Sequence, residues 1–217
     1  MRRYLPFLII AAIFALAVGA GLVLFYYRAQ SPPKAAVYGR PGAEPAHVRG
    51  NLQAPVQLEE FGDFECLPCS ETWPVLEKLE HDYGNRLVVL FRQHPLKKHR
   101  YALDAARAAE AAGLQGKFWE MHDTLYHNRE TWVPADYIRP YLNGYATELG
   151  LDVDRFKADM DGEEVTKRIT ADQDRGESLS IDRTPVIYIN GELIASTARD
   201  EKSLRAVIDK ALGSRRP

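Results

Sequence analysis

Cysteine is nearly missing from this chain: 217 residues hold two, alongside three methionines and three tryptophans. Two thiols cannot build the disulfide framework of a small secreted fold, nor a four-thiolate zinc site. An excess of positive charge is missing as well. The 28 Lys and Arg stand against 30 Asp and Glu, a formal net charge of −2, which argues against a nucleic-acid binder. No internal repeat is visible. With 46% hydrophobic and 27% charged residues the chain is also no disordered polymer, and its length is ample for a real core. The near-neutral sum hides an asymmetry. Residues 1–50 contain six basic residues and one acidic, which leaves 22 basic against 29 acidic, or −7, for residues 51–217.

What the chain does have, at its start, is one long apolar run. From Leu5 to Phe25 no side chain is charged or strongly polar. At about 1.5 Å per residue, a helix of that length spans about 31 Å, the thickness of a bilayer's hydrocarbon core. Tyr4, Tyr26 and Tyr27 bracket it as interfacial aromatics. Val18-Gly19-Ala20 offers the small residues of a signal-peptidase site, but the apolar run continues through Leu22-Val23-Leu24-Phe25, which favours an uncleaved anchor. Arg2 and Arg3 flank one side and Arg28, Lys34 and Arg40 the other, so the charge rule does not orient it. Residues 29–50 hold four prolines and three glycines with no hydrophobic period. They read as an extended tether. The expected division is therefore a membrane anchor over 1–28, a tether over 29–50 and a folded domain over 51–217.

Within that domain, residues 56–61 alternate as a strand with Val56, Leu58 and Glu60 on one face and Gln57, Glu59 and Phe61 on the other. A helix is predicted over about 68–83, stopped by Gly84. Leu87-Val88-Val89-Leu90-Phe91 is short and continuously apolar, as a central strand covered on both faces would be. Helices follow over 101–112, where seven alanines favour close packing, and over 117–127, 137–149, 154–160 and 164–179. Val186–Ile189 and Glu192–Ile194 are strands joined by Asn190-Gly191, both residues tolerating the positive φ of a type I′ turn. A last helix is expected over 201–212. The order is β, α, β, a block of helices, a hairpin and a final helix.

The two cysteines sit three positions apart, as Cys66-Leu67-Pro68-Cys69, between a strand and a helix start. There the first sulfur meets unpaired backbone N–H groups and the positive end of the helix dipole, both of which stabilise a thiolate. The second lies within bonding reach on the first helical turn, where Pro68 needs no N–H. Disulfide exchange is the natural chemistry. A zinc half-site has the same spacing but lacks a second pair, with only His94 and His99 nearby, two histidines expected on an exposed loop. A structural disulfide closing so tight a loop would constrain the unfolded chain only slightly. Glu60 shares the apolar face of its strand six residues before Cys66. Buried there, a carboxyl with a raised pKa could take the proton of the resolving thiol; the plainer alternative is a strand-end glutamate that reaches solvent. Pro74 cannot donate to the carbonyl of Ser70 and should kink the helix past its first turn.

The segment Glu60-Phe61-Gly62-Asp63-Phe64-Glu65-Cys66-Leu67-Pro68-Cys69 resembles the active-site stretch of DsbA-like thiol–disulfide oxidoreductases of the thioredoxin superfamily. Phe91-Arg92-Gln93-His94-Pro95-Leu96, the Ala-rich helix, Gly116-Lys117-Phe118-Trp119-Glu120-Met121-His122 and Arg183-Thr184-Pro185 agree, in the same order. The resemblance spans about residues 50–212. It implies an α/β thioredoxin fold with a helical insertion over about 97–180, and it implies that Pro185 is a cis-proline facing the dithiol. Thr184 would then pair with an extended client strand, with Leu67 and Pro68 beside it.

On this reading Cys66 forms the mixed disulfide with a client protein, Cys69 resolves it and Glu60 manages the proton of Cys69. The chemistry needs no cofactor and no metal. Its partners would be client proteins with thiols or disulfides and a membrane redox protein that recycles the dithiol, with the domain outside the bacterial cytoplasm. Oxidation of clients is the expected direction. The alternatives are a reductase or isomerase kept reduced by a membrane donor, and a peptide-binding or chaperone module that does no redox chemistry. Asp63 and Glu65, just before Cys66, oppose thiolate formation, so a less depressed Cys66 pKa than in the strongest oxidants is expected.

Overall fold

The computed structural model describes residues 18, 19, 21 and 41–213. The expected membrane span over 5–25 therefore lies outside the described residues, apart from those three positions. Among the described residues no helix is long and apolar enough to cross a membrane.

Strand β1 (His47–Gly50), β2 (Val56–Gly62), β3 (Leu87–Gln93), β4 (Val186–Ile189) and β5 (Glu192–Leu193) form one sheet in the order β1-β3-β2-β4-β5. The β2–β3 pair is parallel, with Val56 opposite Leu87 and Glu60 opposite Phe91. The other three pairings are antiparallel. A parallel pair needs a crossover, and helix α1 (Leu67–Tyr83) supplies it. The helix runs unbroken through Pro74. As expected, β3 is central and buried along its whole length. Asn190 and Gly191 both take positive φ, 49° and 83°, at the β4–β5 turn.

Between β3 and β4 lie α2 (Ala102–Gly113), α3 (Phe118–His127), the four-residue α4 (Arg129–Trp132), α5 (Arg139–Glu148), α6 (Val153–Met160) and α7 (Glu163–Ser178). The seven alanines of α2 are all buried. Their small side chains let neighbouring helices close around Trp132, Met121, Leu142, Phe156 and Met160. The helix expected from 137 begins at Arg139, because Pro140 sits in its first turn, where the missing N–H costs nothing. Asp152 caps α6 by accepting from the backbone N–H groups of Asp154 and Arg155. The final helix, α8 (Glu201–Gly213), packs Leu204 and Ile208 with Leu76 and Leu79 of α1 against Val56, Leu58, Val89 and Ile187.

One expectation is corrected. Residues 41–50 are not a free tether but part of the domain. β1 runs antiparallel to β3, and Val48 and Ala46 pack on Ala54, Val88 and Leu90. Ala43 is fastened at both backbone groups: its N–H donates to Asp172 Oδ1 (2.7 Å) and its carbonyl accepts from Arg92 Nη1 (2.7 Å). Apart from Ala54, these partners are distant in sequence, so no local period announces them.

This same face of the sheet, the one turned away from Val56, Leu58 and Val89, is also held by charge. Glu59 accepts from Arg92 Nε (2.9 Å) and from Arg175 through Nε and Nη2 (2.9 and 2.7 Å), all three side chains being buried. Alternation along β2 thus sends Glu59 to a paired ionic network and its neighbour Glu60 to the apolar side.

Candidate active site

The turn between β2 and α1 is fixed before any sulfur is reached. Asp63 is buried, and its carboxylate accepts from the N–H groups of Glu65 and Leu96 (both 2.8 Å) and lies 2.8 Å from His99 Nδ1. Its carbonyl accepts from the N–H of Cys66 (3.1 Å). The Glu65 carboxylate takes the backbone N–H groups of Arg100 and Tyr101, while the Glu65 carbonyl accepts twice from Arg129, at 2.9 and 2.7 Å. The helical insertion therefore grips the turn from one side and the sheet from the other.

Cys66 is the N-cap of α1, with an extended backbone (φ −70°, ψ 119°). Its carbonyl accepts from the N–H of Cys69 (3.1 Å) and Ser70 (3.2 Å), which closes the first turn around the pair. Pro68 falls in that turn. Both cysteines are free thiols. Cys66 is 6% exposed and Cys69 fully buried, while Leu67 and Pro68 between them face outward. Across from Cys66 the Thr184–Pro185 peptide is cis, and the Cys66 thiol donates to the Thr184 carbonyl at 3.2 Å. Arg199 Nη1 donates to the carbonyl of Pro185 (3.2 Å), holding this loop on its far side. The pair also touches both halves of the domain, since Cys66 and Cys69 pack in the same apolar cluster as Phe64, Phe91 and Tyr126.

The two thiols are electrostatically unequal. The Cys66 thiol is drawn down from 9.0 to about 6, first by the Cys69 thiol, which hydrogen-bonds the thiolate. Burial opposes this, the nearby Thr184 hydroxyl (without a hydrogen-bond partner among the described residues) and the Cys69 N–H assist, and Asp63 pushes the other way. The expected opposition from the acidic residues thus comes from Asp63. Glu65 spends its carboxylate on the backbone of Arg100 and Tyr101. Cys69 is held well above the usual thiol range, by burial first and then by its bond to Cys66 and the nearby Glu60. One sulfur is ready to act as an anion near neutral pH, and the other is kept protonated until something takes its proton.

Glu60 is buried on the face of β2 that carries Val56 and Leu58, and its Oε1 has no hydrogen-bond partner among the described residues. Burial, with a smaller contribution from Cys66, raises its pKa from 4.5 to about 8, and Arg199 pulls weakly against this. A carboxyl that changes charge near neutrality beside a buried thiol can exchange a proton with it.

Of the residues expected at the site, Cys66, Cys69, Glu60, Thr184, Pro185, Leu67 and Pro68 are brought together. Arg129, Arg199 and Tyr126 were not anticipated. Tyr126 lies four residues after His122, a helical spacing that could have marked it. The arginines act through single backbone carbonyls and leave no pattern. His94 is a correction: expected on an exposed loop, it is buried, with Nε2 on the carbonyl of Ile181 (3.2 Å) and Phe61 edge-on to its ring. His99 is turned to Asp63, so neither imidazole is directed at the cysteines. Among the described residues no group of three or more His, Cys, Asp or Glu is placed to hold a metal ion.

A mixed sheet with a dithiol at the start of its first helix, faced by a cis-proline, defines a thioredoxin-fold redox site. The thioredoxin family profile matches residues 43–210. The chain is 25% identical to BdbD from Bacillus subtilis, at a TM-score of 0.69 over 82% of this chain and 98% of that one. It is 26% identical to a thioredoxin-like oxidoreductase from Silicibacter pomeroyi DSS-3, at a TM-score of 0.67 over 78% and 94%. A curated relative, Na(+)/H(+) antiporter NhaA 1 from Salinispora arenicola (strain CNS-205), is 40% identical over 170 residues, 78% of this chain. The chain spans only about a quarter of the length of the curated relatives it matches. The chain belongs to the thioredoxin family. Residues 43–210 form a DsbA-like domain carrying the CxxC active site of a thiol–disulfide oxidoreductase.

Proposed function

We propose that this protein exchanges disulfides with client proteins outside the cytoplasm, working mainly as an oxidase. The observation that carries the reading is the inequality of the two thiols. A Cys66 thiol drawn to about 6 stabilises the reduced site, and a stabilised reduced form makes the disulfide form a better oxidant.

In the oxidising direction a client thiolate attacks Cys66 of the Cys66–Cys69 disulfide, and Cys69 leaves as a thiolate. Glu60, if protonated, gives its proton to Cys69. A second client thiolate then attacks the client sulfur of the mixed disulfide. The client gains a disulfide, two electrons pass to the protein, and Cys66 departs as its stabilised thiolate. Thr184 and Pro185 seat the client's extended backbone, and the outward-facing Leu67 and Pro68 supply an apolar contact next to the sulfur. Because Asp63 opposes the Cys66 thiolate, the couple is less oxidising than the roughly −120 mV of the strongest members.

The apolar segment over 5–25 anchors the domain to the membrane, and a membrane redox protein reoxidises the dithiol. Similarity to a stretch of sodium–proton antiporters supports a place beside the bilayer. The test is a Cys69→Ala protein, which holds clients as mixed disulfides because nothing resolves them. Capture of exported proteins, together with a wild-type pair found oxidised in cells by alkylation trapping, is the expected result. A pair found reduced would reverse the direction to reductase or isomerase. No captured client from a well-expressed variant would overturn the redox reading in favour of a peptide-binding module.

A further inference from the structure

Beside Glu60 is a cavity of about 20 Å³, enough for one water molecule. Glu60 and His122 meet there, with Leu76 and Trp119 as apolar walls and Arg49 and Glu80 among the lining residues. Two of its polar atoms, Glu60 Oε1 and His122 Nε2, are buried without a hydrogen-bond partner among the described residues. A third, the Tyr126 hydroxyl, is unpartnered close by, its ring 5.0 Å from that of His122. Buried polar groups are rarely left unpaired, and such a cluster around a water-sized space marks a hydration site.

The imidazole is oriented from behind. His122 Nδ1 lies 2.8 Å from Asp123 Oδ1, a carboxylate that also accepts from Trp73 Nε1 (3.2 Å) and from Arg49 Nη2 through Oδ2 (2.6 Å). A carboxylate can only accept, so Nδ1 carries the hydrogen and Nε2 presents a lone pair to the cavity. We propose that His122, oriented by Asp123, is a proton relay that exchanges protons with Glu60 through one cavity water and delivers them past Arg49 and Glu80 to solvent.

This rests on the reading of Glu60 as the proton partner of Cys69. When the dithiol closes, the Cys69 proton passes to Glu60 and Cys69 attacks the mixed disulfide. The Glu60 proton then crosses the water to His122 Nε2, forming an imidazolium against Asp123, and leaves to bulk. When the disulfide opens, the same path runs inward. The groups facing His122 are Glu60 from β2, Arg49 and His47 from β1, Glu77 and Glu80 from α1, and Asp123 and Tyr126 on its own helix. Burial keeps the imidazole neutral at rest, with Asp123 pulling the other way. His122 touches neither sulfur nor client, so it is a positioning residue whose effect is on proton movement.

The experiment follows the rate of reduction of the oxidised full chain by dithiothreitol against pH, in water and in deuterium oxide. His122→Phe should slow this step about tenfold, flatten its pH profile and lower its solvent isotope effect. Alkylation of Cys66 in the same reduced variant should keep its wild-type pH midpoint. Asp123→Asn, at a more exposed position, reverses the tautomer and should slow the step in the same way, even if the Phe variant folds poorly. Glu60→Gln should be slow as well, and adding His122→Phe to it should cost nothing more, because the two act in series. An unchanged rate and profile in both His122→Phe and Asp123→Asn, with Glu60→Gln slow, overturns the relay alone. A wild-type rate in Glu60→Gln overturns the reading beneath it. A parallel loss of Cys66 alkylation would mean a distorted site, and also overturns the relay.

Discussion

The Cys66 sulfur and the Thr184 carbonyl oxygen lie 3.2 Å apart, the thiol donating to the same backbone group that an extended client strand would use. Under the proposed function, protonated Cys66 would occupy the docking site and deprotonation would release it, linking client binding to thiolate formation through one oxygen.

The first prediction concerns that thiol. Thiolate absorbance of the reduced protein should titrate with a midpoint of about 6. In Cys69→Ala the midpoint should rise, since the Cys69 thiol is the largest stabilising donor. Thr184→Val, which removes the hydroxyl at nearly constant volume, should raise it by less. A wild-type midpoint above 8 would contradict this account of the site.

Glu60 should make the reduced protein less stable in alkali. Its folded pKa, about 8, is raised above the ordinary 4.5, so the folded state holds the proton more tightly than the unfolded chain. The resulting stability is fully present below about 4.5 and is lost as pH rises through about 8. Glu60→Gln should flatten this fall and be the more stable protein at pH 9, by on the order of 3 kcal/mol. Urea melts at pH 5, 7 and 9 decide it. A wild type that loses no more stability than the variant across this range would refute the buried-carboxyl account.

Glu59 behaves in the opposite sense. Burial alone would raise its pKa, but the hydrogen bonds and charges of Arg175 and Arg92 overcome this and leave it lowered. Such a group contributes stability above its unfolded pKa, and that contribution is lost as pH falls through the folded value. Glu59→Gln removes the carboxylate that pairs with Arg175 and that shares Arg92 with Asp172, and should cost about 3–5 kcal/mol at pH 7. The difference from wild type should shrink in acid, which denaturant melts at pH 7 and pH 3 can measure.

Arg129 is predicted to stiffen the active-site turn rather than the domain as a whole. Arg129→Met removes both donors to the Glu65 carbonyl. A global loss of about 1–2 kcal/mol is expected from charged hydrogen bonds at a partly buried site. Amide exchange at Glu65, Cys66 and Leu67 should accelerate more than exchange in β3. Equal acceleration everywhere would show that the arginine supports the fold generally.

Much of this was legible in the amino-acid order because it is local. Alternation over 56–61 separated Glu60 from Glu59, apolar continuity placed β3 in the interior of the sheet, and Asn190-Gly191 marked the β4–β5 hairpin. The cysteine spacing together with a helix start identified the dithiol. What stayed hidden depends on partners far along the chain. Val48 finds Val88 and Leu90, Arg129 finds one carbonyl of Glu65, and Asp172 finds the backbone of Ala43, none of which leaves a period or motif. His94 was misjudged for the same reason. Its neighbours Pro95 and Lys97 look like a loop, while the residues that cover it, Phe61 and Ile181, come from elsewhere.

The fastening of Ala43 and β1 to the sheet shortens the stretch that could act as a tether under the proposed anchoring. With a membrane span ending near Phe25, a tether running to residue 50 would add up to about 85–90 Å of chain at full extension. With residues 43–50 held in the domain, the proposed anchor would have no more than residues 26–42 as its tether, at most about 60 Å. Under the proposed anchoring, the dithiol would work in a thin layer beside the bilayer, at high local concentration for clients emerging there.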